Sequence, residues 1–168
     1  VKGKKSIGMY GTQAGTTVTN SGTINLAEDN AIGMYLDNGA TGINQASGVI
    51  QTVAKSDGSM PIGAIGVVLK NGSVIKNYGQ IIVDGPNNKA GYLGSTGTFS
   101  NETSGGTTGT VTNTGGAEGV VRKSGSPTGK TVAGIEIIAP AGATSATIKI
   151  NGSVVTPTYV DTNARTNT

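Results

Sequence analysis

A near-repeat of five residues is the feature that most limits how this chain can fold. Ser6–Tyr10 reads Ser-Ile-Gly-Met-Tyr, and Ala31–Tyr35 repeats it as Ala-Ile-Gly-Met-Tyr after 25 residues. A second element, Val18–Leu26, lies between the copies and returns position for position as Ile75–Val83. Because self-similarity at a fixed period of about 20–50 residues is typical of solenoids, the sequence predicts stacked copies of one unit.

Each copy reads as three short strands separated by turns rich in Gly and Asn. In the first copy, Ser6–Asn30, the strands are expected at Ile7–Tyr10, Thr17–Thr19 and Thr23–Leu26. Three such strands cannot bury a face alone, but coils in which each strand stacks on its equivalent can. We therefore predict an all-β fold, a right-handed single-stranded parallel β-helix of about six coils, with a C-terminal β-hairpin at Ile148–Val155.

The predicted domain limits follow the repeat. Residues 1–5, with Lys2, Lys4 and Lys5, are expected to form a frayed, solvated start rather than a phosphate-binding arm. The β-helix is expected over 6–138, and a hairpin with a loose tail over 139–168. The alternative fold is an antiparallel sandwich with hairpins at the Asn-Gly pairs, and the period near 25 argues against it. Those pairs begin at Asn38, Asn71 and Asn151.

Several residue types recur at equivalent positions and are interpreted as structural. The predicted inward ladders are Ile24, Ile50, Ile81 and, separately, Val18, Ile75, Val111. Recurring glycines are expected to stack at one corner, where a positive φ or a close backbone approach is needed; they are Gly8, Gly33, Gly66, Gly91 and Gly119. A row of asparagines is expected to form an amide ladder rather than a ligand contact; its members are Asn20, Asn77, Asn101 and Asn113, with Ala46 in the second-repeat slot and Asn44 nearby. Tyr10, Tyr35 and Tyr92 are expected to pack along one face, although a sugar-stacking stripe is the alternative.

Composition agrees with a stack of small strands. The chain has 168 residues with 29 glycines, 4% aromatic and 12% charged residues, and a net charge of +3. Scarce aromatics leave a compact globule short of large core side chains, whereas stacked coils bury one another's surfaces. The chain begins at Val1, without an initiator Met, a signal peptide or an apolar run long enough for a membrane helix. We therefore expect a segment of a larger protein.

The residue types exclude several kinds of catalytic and metal sites. The sequence has no histidine and no cysteine, which rules out a Ser-His-Asp triad, a thiol nucleophile and a disulfide. The nine acidic residues are scattered, and Glu28-Asp29 is their single adjacent pair. We therefore expect no enzymatic activity, no catalytic residue, no metal ligand and no cofactor.

Loops that interrupt the repeat are the predicted contact sites, because coil positions are already committed to stacking. They are Ala54–Ile62, Glu102–Gly109 and Lys123–Lys130. Within or beside them, the candidate binding residues are Lys55, Asp57, Arg122 and Lys123. A solvated loop is the default interpretation of the Arg122-Lys123 pair.

The repeat resembles the passenger region of large autotransporter adhesins, most closely the fusobacterial outer-membrane type. The resemblance is carried by Ile7–Tyr10, Ile32–Tyr35, Asn20–Asn25 and Asn77–Ile81, covers Ser6–Val121 well and weakens beyond. It implies a long surface-exposed rod, anchored in the outer membrane by a barrel outside this segment. It also implies coaggregation with other bacteria, adhesion to host cells and a role in virulence, and it transfers no binding residue.

The leading functional hypothesis is therefore a segment of a bacterial cell-surface adhesin. Its expected partners are protein or glycan receptors on host cells or bacteria; nucleic acid is not expected, and a membrane is expected only through the anchor. One alternative is a non-binding spacer of the same rod. Another is a glycan-binding or polysaccharide-cleaving β-helix, which would need a carboxylate pair on one face.

Overall fold

The structure is a computed structural model of the chain. It describes residues 1–94 and 96–121 with their side chains and Arg122 as backbone. Beyond them it describes the strands at 130–132, 135–138, 147–150, 153–155 and 165–166.

The described residues form twenty strands and no helix. The first nine are β1 (Ile7–Thr12), β2 (Thr17–Asn20), β3 (Thr23–Leu26), β4 (Ile32–Asp37), β5 (Thr41–Asn44), β6 (Val49–Thr52), β7 (Ile65–Leu69), β8 (Val74–Asn77) and β9 (Gln80–Asp84). The next six are β10 (Lys89–Leu93), β11 (Thr98–Asn101), β12 (Thr103–Ser104), β13 (Thr107–Thr108), β14 (Thr110–Thr114) and β15 (Glu118–Arg122). The last five are β16 (Lys130–Val132), β17 (Ile135–Ile138), β18 (Thr147–Ile150), β19 (Ser153–Val155) and β20 (Arg165–Thr166).

Three parallel sheets run along the solenoid, one for each strand of the repeat. The first sheet stacks β1, β4, β7, β10 and β15, the second stacks β2, β5, β8 and β11, and the third stacks β3, β6, β9 and β14. The predicted parallel β-helix with three strands per coil is therefore confirmed. The described residues form four complete coils rather than about six, because β11 and β14 belong to one coil that a hairpin interrupts.

The apolar core is a set of ladders inside the three sheets. Ile24, Ile50 and Ile81 are in register as predicted, and Ile50 and Ile81 are fully buried. The expected position of Val111 was wrong: it stacks on Ile81 and extends this first ladder. The second ladder runs through Val18, Gly42, Ile75 and Phe99.

The recurring glycines lie within the first sheet, where the interior is too narrow for a side chain. A Cβ on Gly8 would lie 2.8 Å from the carbonyl oxygen of Gly33, and a Cβ on Gly33 would lie 2.7 Å from Cγ2 of Ile50. Of the two predicted causes, close approach is the one that applies, because none of Gly8, Gly33 and Gly66 has a positive φ.

The row of recurring glycines continues along the first sheet, but at one position the residue in the row is not the predicted one. Lys89 pairs with Ile65 and Gly91 pairs with Val67, so Ala90 and not Gly91 stacks on Gly66. The pairing of Gly91 with Val120 then sets Gly119 beside Ala90. Gly91 was therefore misplaced by one residue, and the row reads Gly8, Gly33, Gly66, Ala90, Gly119.

The end of the chain changes from parallel to antiparallel pairing. Strands β16 to β19 form an antiparallel sheet, and the predicted hairpin is confirmed by the pairing of Ile148 with Val155. β20 pairs antiparallel with β15. Among the described strands, β15 is the last one in a parallel stack. The domain limits at 5/6 and 138/139 stay a prediction.

Candidate binding surface at one corner of the coil

A ladder of four buried or partly buried asparagines lines the corner between the second and third sheets. The Nδ2 atom of Asn20 donates to Oδ1 of Asn44, Asn44 donates to Asn77, and Asn77 donates to Asn101, each at 2.8 Å. Asn44 and Asn77 are fully buried. These amides hold the corner together and are not available to a ligand, as the structural interpretation of the Asn series predicted.

Two positions of the predicted series need correction. Asn44, and not Ala46, fills the slot of the second coil, because Asn44 pairs with both Asn20 and Asn77. Asn113 lies outside the ladder: it is in β14, pairs with Val83, and its Nδ2 donates to the carbonyl oxygen of Ala117 at 3.2 Å.

The connections that follow the ladder differ sharply in length from coil to coil. Two residues join β2 to β3 and β8 to β9, whereas four residues, Gln45–Gly48, join β5 to β6. Eight residues, Glu102–Gly109, join β11 to β14. Since strands of successive coils lie about 4.8 Å apart, the backbones of the longer second and fourth corners are about 10 Å apart, and the tight third corner leaves a recess between them.

The longest of these corners, predicted as a Gly/Thr loop, is a hairpin. Strands β12 and β13 pair antiparallel, with Thr103 opposite Thr108, and their hydroxyl oxygens are 2.9 Å apart. Gly105 and Gly106 form the turn with φ of 59° and 80°, which suits a two-residue hairpin turn. Every residue from Thr103 to Thr108 is exposed. The hairpin therefore projects from a coil whose other strands are stacked.

The base of the hairpin is fixed to the solenoid. The backbone N–H of Glu102 donates to the carbonyl oxygen of Asn77 at 2.8 Å, and that of Gly109 donates to Glu102 at 2.9 Å. Thr110 then continues the third sheet through a hydrogen bond to Gly79. The projection thus has a defined direction relative to the corner.

A pocket of about 430 Å³ occupies the recess beside this hairpin, and we call it the corner notch. It is lined by Ile43, Gln45, Ala46, Ser47, Tyr78 and Ser104. Tyr78 comes from the tight third corner, Gln45, Ala46 and Ser47 from the second, and Ser104 from the hairpin. None of the six carries a charge.

Two of the predicted binding residues are held by contacts within the chain. Nζ of Lys55 forms an ion pair with Oδ1 of Asp29 at 3.2 Å, and the same oxygen accepts the N–H of Ile62 at 2.9 Å. The Ile62 N–H and then the Lys55 ammonium hold the pKa of the Asp29 carboxyl below its ordinary value. These contacts tie both ends of the Ala54–Ile62 insertion to the preceding coil.

Asp57 caps a local turn of the same insertion. Its Oδ1 accepts the hydroxyl of Ser59 at 2.6 Å and the Ser59 N–H at 2.9 Å. These bonds, the hydroxyl first, lower the pKa of Asp57. Lys55 and Asp57 thus have structural contacts, and their predicted binding role stays a prediction.

The other two candidates lie at the edge of the described residues. Arg122 is the last residue of β15, where its backbone pairs with Leu93. Lys123 and the rest of the predicted loop up to residue 129 lie outside the described residues. Of the candidates whose side chains the structure describes, neither Lys55 nor Asp57 lines the corner notch, and sequence reasoning missed the residues that do. The signal in the sequence was the unequal spacing between each Asn of the ladder and the next strand.

The tyrosines lie on the outer face of the first sheet. The rings of Tyr10 and Tyr35 are stacked, with centroids 5.6 Å apart and an interplanar angle of 27°. Val68 separates Tyr35 from Tyr92 in the register. Nζ of Lys70 lies 5.4 Å from the centre of the Tyr35 ring, and contact with the Tyr35 side chain raises the pKa of Lys70. The first two rings pack on each other along one face, but Tyr10 is 58% exposed, so the sugar-stacking alternative stays a prediction.

Two further observations bear on function. In the part of the chain that the structure describes, no cluster of three or more His, Cys, Asp or Glu side chains could hold a metal ion. The same part contains no helix with the length and apolarity needed to cross a membrane.

One comparison with known proteins finds a partial likeness. Residues 1–48, which contain β1 to β5, match the family model of the BigA third pectate lyase-like domain. No curated protein and no solved structure matches the chain. The match spans under a third of the sequence and, together with the stacked parallel sheets, supports a pectate lyase-like β-helix domain of a bacterial surface protein. A fold of this kind is not itself evidence for lyase chemistry.

Proposed function

We propose that this chain is a segment of a bacterial cell-surface adhesin, in which a rigid β-helix presents a projecting corner to other bacteria or host cells. The observation that carries the proposal is the exposed hairpin at Thr103–Thr108, fixed at its base on a coil with a buried amide ladder. Most coil positions are taken up by stacking, so the segments that project from the coils are the strongest candidates for recognising a partner. The other loop in the described residues, Ala54–Ile62, is a second, smaller candidate.

The finer assignment is also part of the proposal. The Ile-Gly-Met-Tyr copies resemble passengers of fusobacterial-type autotransporter adhesins, and the match of residues 1–48 to a pectate lyase-like domain is compatible with a passenger β-helix. On this proposal the segment is exposed on the outside of the cell, and an anchor outside it holds it at the outer membrane. Protein or glycan receptors are its partners, coaggregation and adhesion are its activities, and nucleic acid is not bound.

The proposed activity is binding without catalysis and without a cofactor. The sequence has no histidine or cysteine, which removes the usual nucleophile–base pairs. The competing proposal, cleavage of a polysaccharide, is tested by incubating the folded chain with pectin and neutral polysaccharides, with and without calcium. Release of new reducing ends or unsaturated products would overturn the non-enzymatic assignment.

The experiment that tests adhesion measures binding of the fluorescently labelled chain to partner bacteria and to host cells. Unlabelled chain, free arginine and simple sugars serve as competitors. Saturable binding that unlabelled chain displaces is the expected result. If a chain with a β-rich circular dichroism spectrum shows no saturable binding on any cell type, the segment is a spacer and the adhesion proposal fails for these residues.

A further inference from the structure

We propose that the corner notch is a binding site for a neutral sugar residue, with Tyr78 as its floor. The proposal rests on the adhesin function above and names the class of ligand that one of its surfaces recognises. The site exists because a two-residue corner is flanked by a four-residue corner and an eight-residue corner. At about 430 Å³, its volume falls within the range of pockets that hold small molecules, roughly 300–1,000 Å³.

The backbone of the floor argues against an extended peptide as the ligand. A peptide that adds to a sheet edge needs free main-chain donors and acceptors. The N–H groups of Tyr78 and Gly79 both donate to the carbonyl oxygen of Asn44, at 2.7 and 3.2 Å. The carbonyl oxygen of Gly79 accepts the N–H of Thr110 at 2.8 Å. The floor of the notch therefore offers an added strand no free N–H group at Tyr78 or Gly79, and side chains are the groups expected to recognise the ligand.

The side chains of the lining have the chemistry that suits a sugar ring. Tyr78 is half-buried and offers an aromatic surface with one polar end, on which the apolar face of a pyranose can lie. The exposed Gln45 supplies an amide with two donors and an acceptor, and Ser104 supplies a hydroxyl. Ser47 has a further hydroxyl, which donates to the carbonyl oxygen of Ser21 at 2.8 Å and keeps acceptor capacity.

Charge favours a neutral sugar over an acidic one. Among the residues that the structure describes, no cationic side chain lines the notch, so a uronic acid would find no partner for its carboxylate in this lining. The nearest charged residues in sequence are Lys76, on the adjoining strand, and Glu102, whose Oε1 accepts the hydroxyl of Ser100 at 2.7 Å. Since these two charges are opposite, they do not give the surrounding surface a single sign. The flanking corners are about 10 Å apart from backbone to backbone, which leaves room between them for no more than one sugar ring.

The test is a titration of the isotope-labelled chain with methyl glucoside, methyl galactoside, N-acetylglucosamine and galacturonate, followed by amide NMR. We expect at least one neutral sugar to shift the amides of Gln45, Ser47 and Gly79 in a saturable way. Tyr78→Ala is expected to weaken that binding at least tenfold, Tyr78→Phe to retain it, and Gln45→Ala to weaken it several-fold. Gln51→Ala changes a glutamine outside the notch and is the matched control.

Three outcomes would overturn the proposal. One is the absence of shifts at the notch with every neutral sugar, and the second is binding that Tyr78→Ala leaves unchanged in a folded protein. The third is binding of galacturonate alone that Lys76→Ala abolishes. Cell binding that persists without any sugar-induced shift would reject the notch but keep adhesion, whereas neutral-sugar shifts without cell binding would support the notch and reject adhesion.

Discussion

The side-chain amide of Asn44 donates to Oδ1 of Asn77 at 2.8 Å, although the two residues are 33 positions apart and both are fully buried. Neighbouring coils thus share a row of side-chain hydrogen bonds inside the stack. A buried amide without hydrogen-bond partners is costly. The row of amide hydrogen bonds therefore fixes the register of the corner on which the hairpin and the notch are built.

Removing the central amide is expected to destabilise the solenoid. Asn77→Ala deletes an acceptor for Asn44 and donors to Asn101 and to the carbonyl oxygen of Thr110. The Asn44 amide keeps the carbonyl oxygens of Gly48 and Gln80 as acceptors, whereas Asn101 and Thr110 lose a donor. An unpaired buried group costs about 1–3 kcal/mol, and we expect a loss of stability in this range in urea-unfolding experiments. Asn25→Ala, at an exposed amide that accepts a bond from Gln51, is the control and should change stability by under about 0.5 kcal/mol. Equal effects of the two would contradict a structural role for the ladder.

The glycine row predicts opposite outcomes for two similar substitutions. A Cβ on Gly33 would contact the carbonyl oxygen of Gly66 and lie 2.7 Å from Cγ2 of Ile50, whereas a Cβ on Gly22 would have nothing within 4 Å. Gly33→Ala is expected to cost about 1–3 kcal/mol by overpacking. Gly22→Ala, at a position without a positive φ, is expected to be neutral or to stabilise by about 0.4–1 kcal/mol. A thermal melt of each variant distinguishes them, and a stable Gly33→Ala protein would argue against the tight interior.

Phe99 is expected to be the largest single apolar contribution to the second ladder. It is 1% exposed and stacks on Ile75 at the end of a ladder that includes Gly42. Phe99→Ala should cost about 3–5 kcal/mol through lost burial and a cavity, measured by chemical unfolding. Phe99→Leu retains most of the volume and should cost less than half as much. A small effect of Phe99→Ala would mean that the fourth coil is not packed on the third.

The Asp29 carboxyl, which holds the Ala54–Ile62 insertion, is expected to make the stability of the protein depend on pH. Its pKa lies below the ordinary 3.8 because the Ile62 N–H and the Lys55 ammonium favour the ionised form. A lowered folded-state pKa contributes stability above the unfolded pKa, and this is lost as pH falls through the folded pKa. Stability should therefore decline below about pH 4, and Asp29→Asn should remove this part of the decline.

Carboxyl-carbon NMR measures that pKa directly. Lys55→Ala is expected to raise the pKa of Asp29 only part of the way, because the Ile62 N–H remains. The same residue in the urea-unfolded chain provides the reference. A folded-state value at or above 3.8 would show that the insertion is not tied to Asp29.

The period and the strand order could be predicted because turn-forming residues and apolar residues recur at equivalent positions in each coil. Ile24, Ile50 and Ile81 are in register for that reason. Val111–Asn113 copies the letters of Val18–Asn20, but Asn101 already fills the ladder slot of that coil. The segment Val111–Asn113 therefore lies in the third sheet. The sequence similarity had wrongly placed Val111 in the Val18 ladder and Asn113 in the asparagine ladder.

The site could not be predicted because it depends on differences between coils rather than on the repeat. Asn44 was passed over since its corner has two residues more than the first, and Gly91 was aligned by residue type although the register places Ala90 beside Gly66. The corner notch needs Gln45, Tyr78 and Ser104 from three different coils. Only the stacking brings them together, whereas the predicted loop residues Lys55 and Asp57 are held by Asp29 and Ser59.

The measurement that tests the central claim most directly is cell binding by a chain whose hairpin has been shortened. Replacing Glu102–Gly109 with a Tyr-Gly corner, as in Tyr78-Gly79 of the third coil, keeps the stack and removes the projection. Gln51→Ala, in strand β6 and outside both loops, is the control. If the projecting corner makes the contact, the shortened chain should remain β-rich and lose at least tenfold in cell-binding affinity, while the control binds normally. A folded, shortened chain that binds cells as well as the intact one would contradict the account.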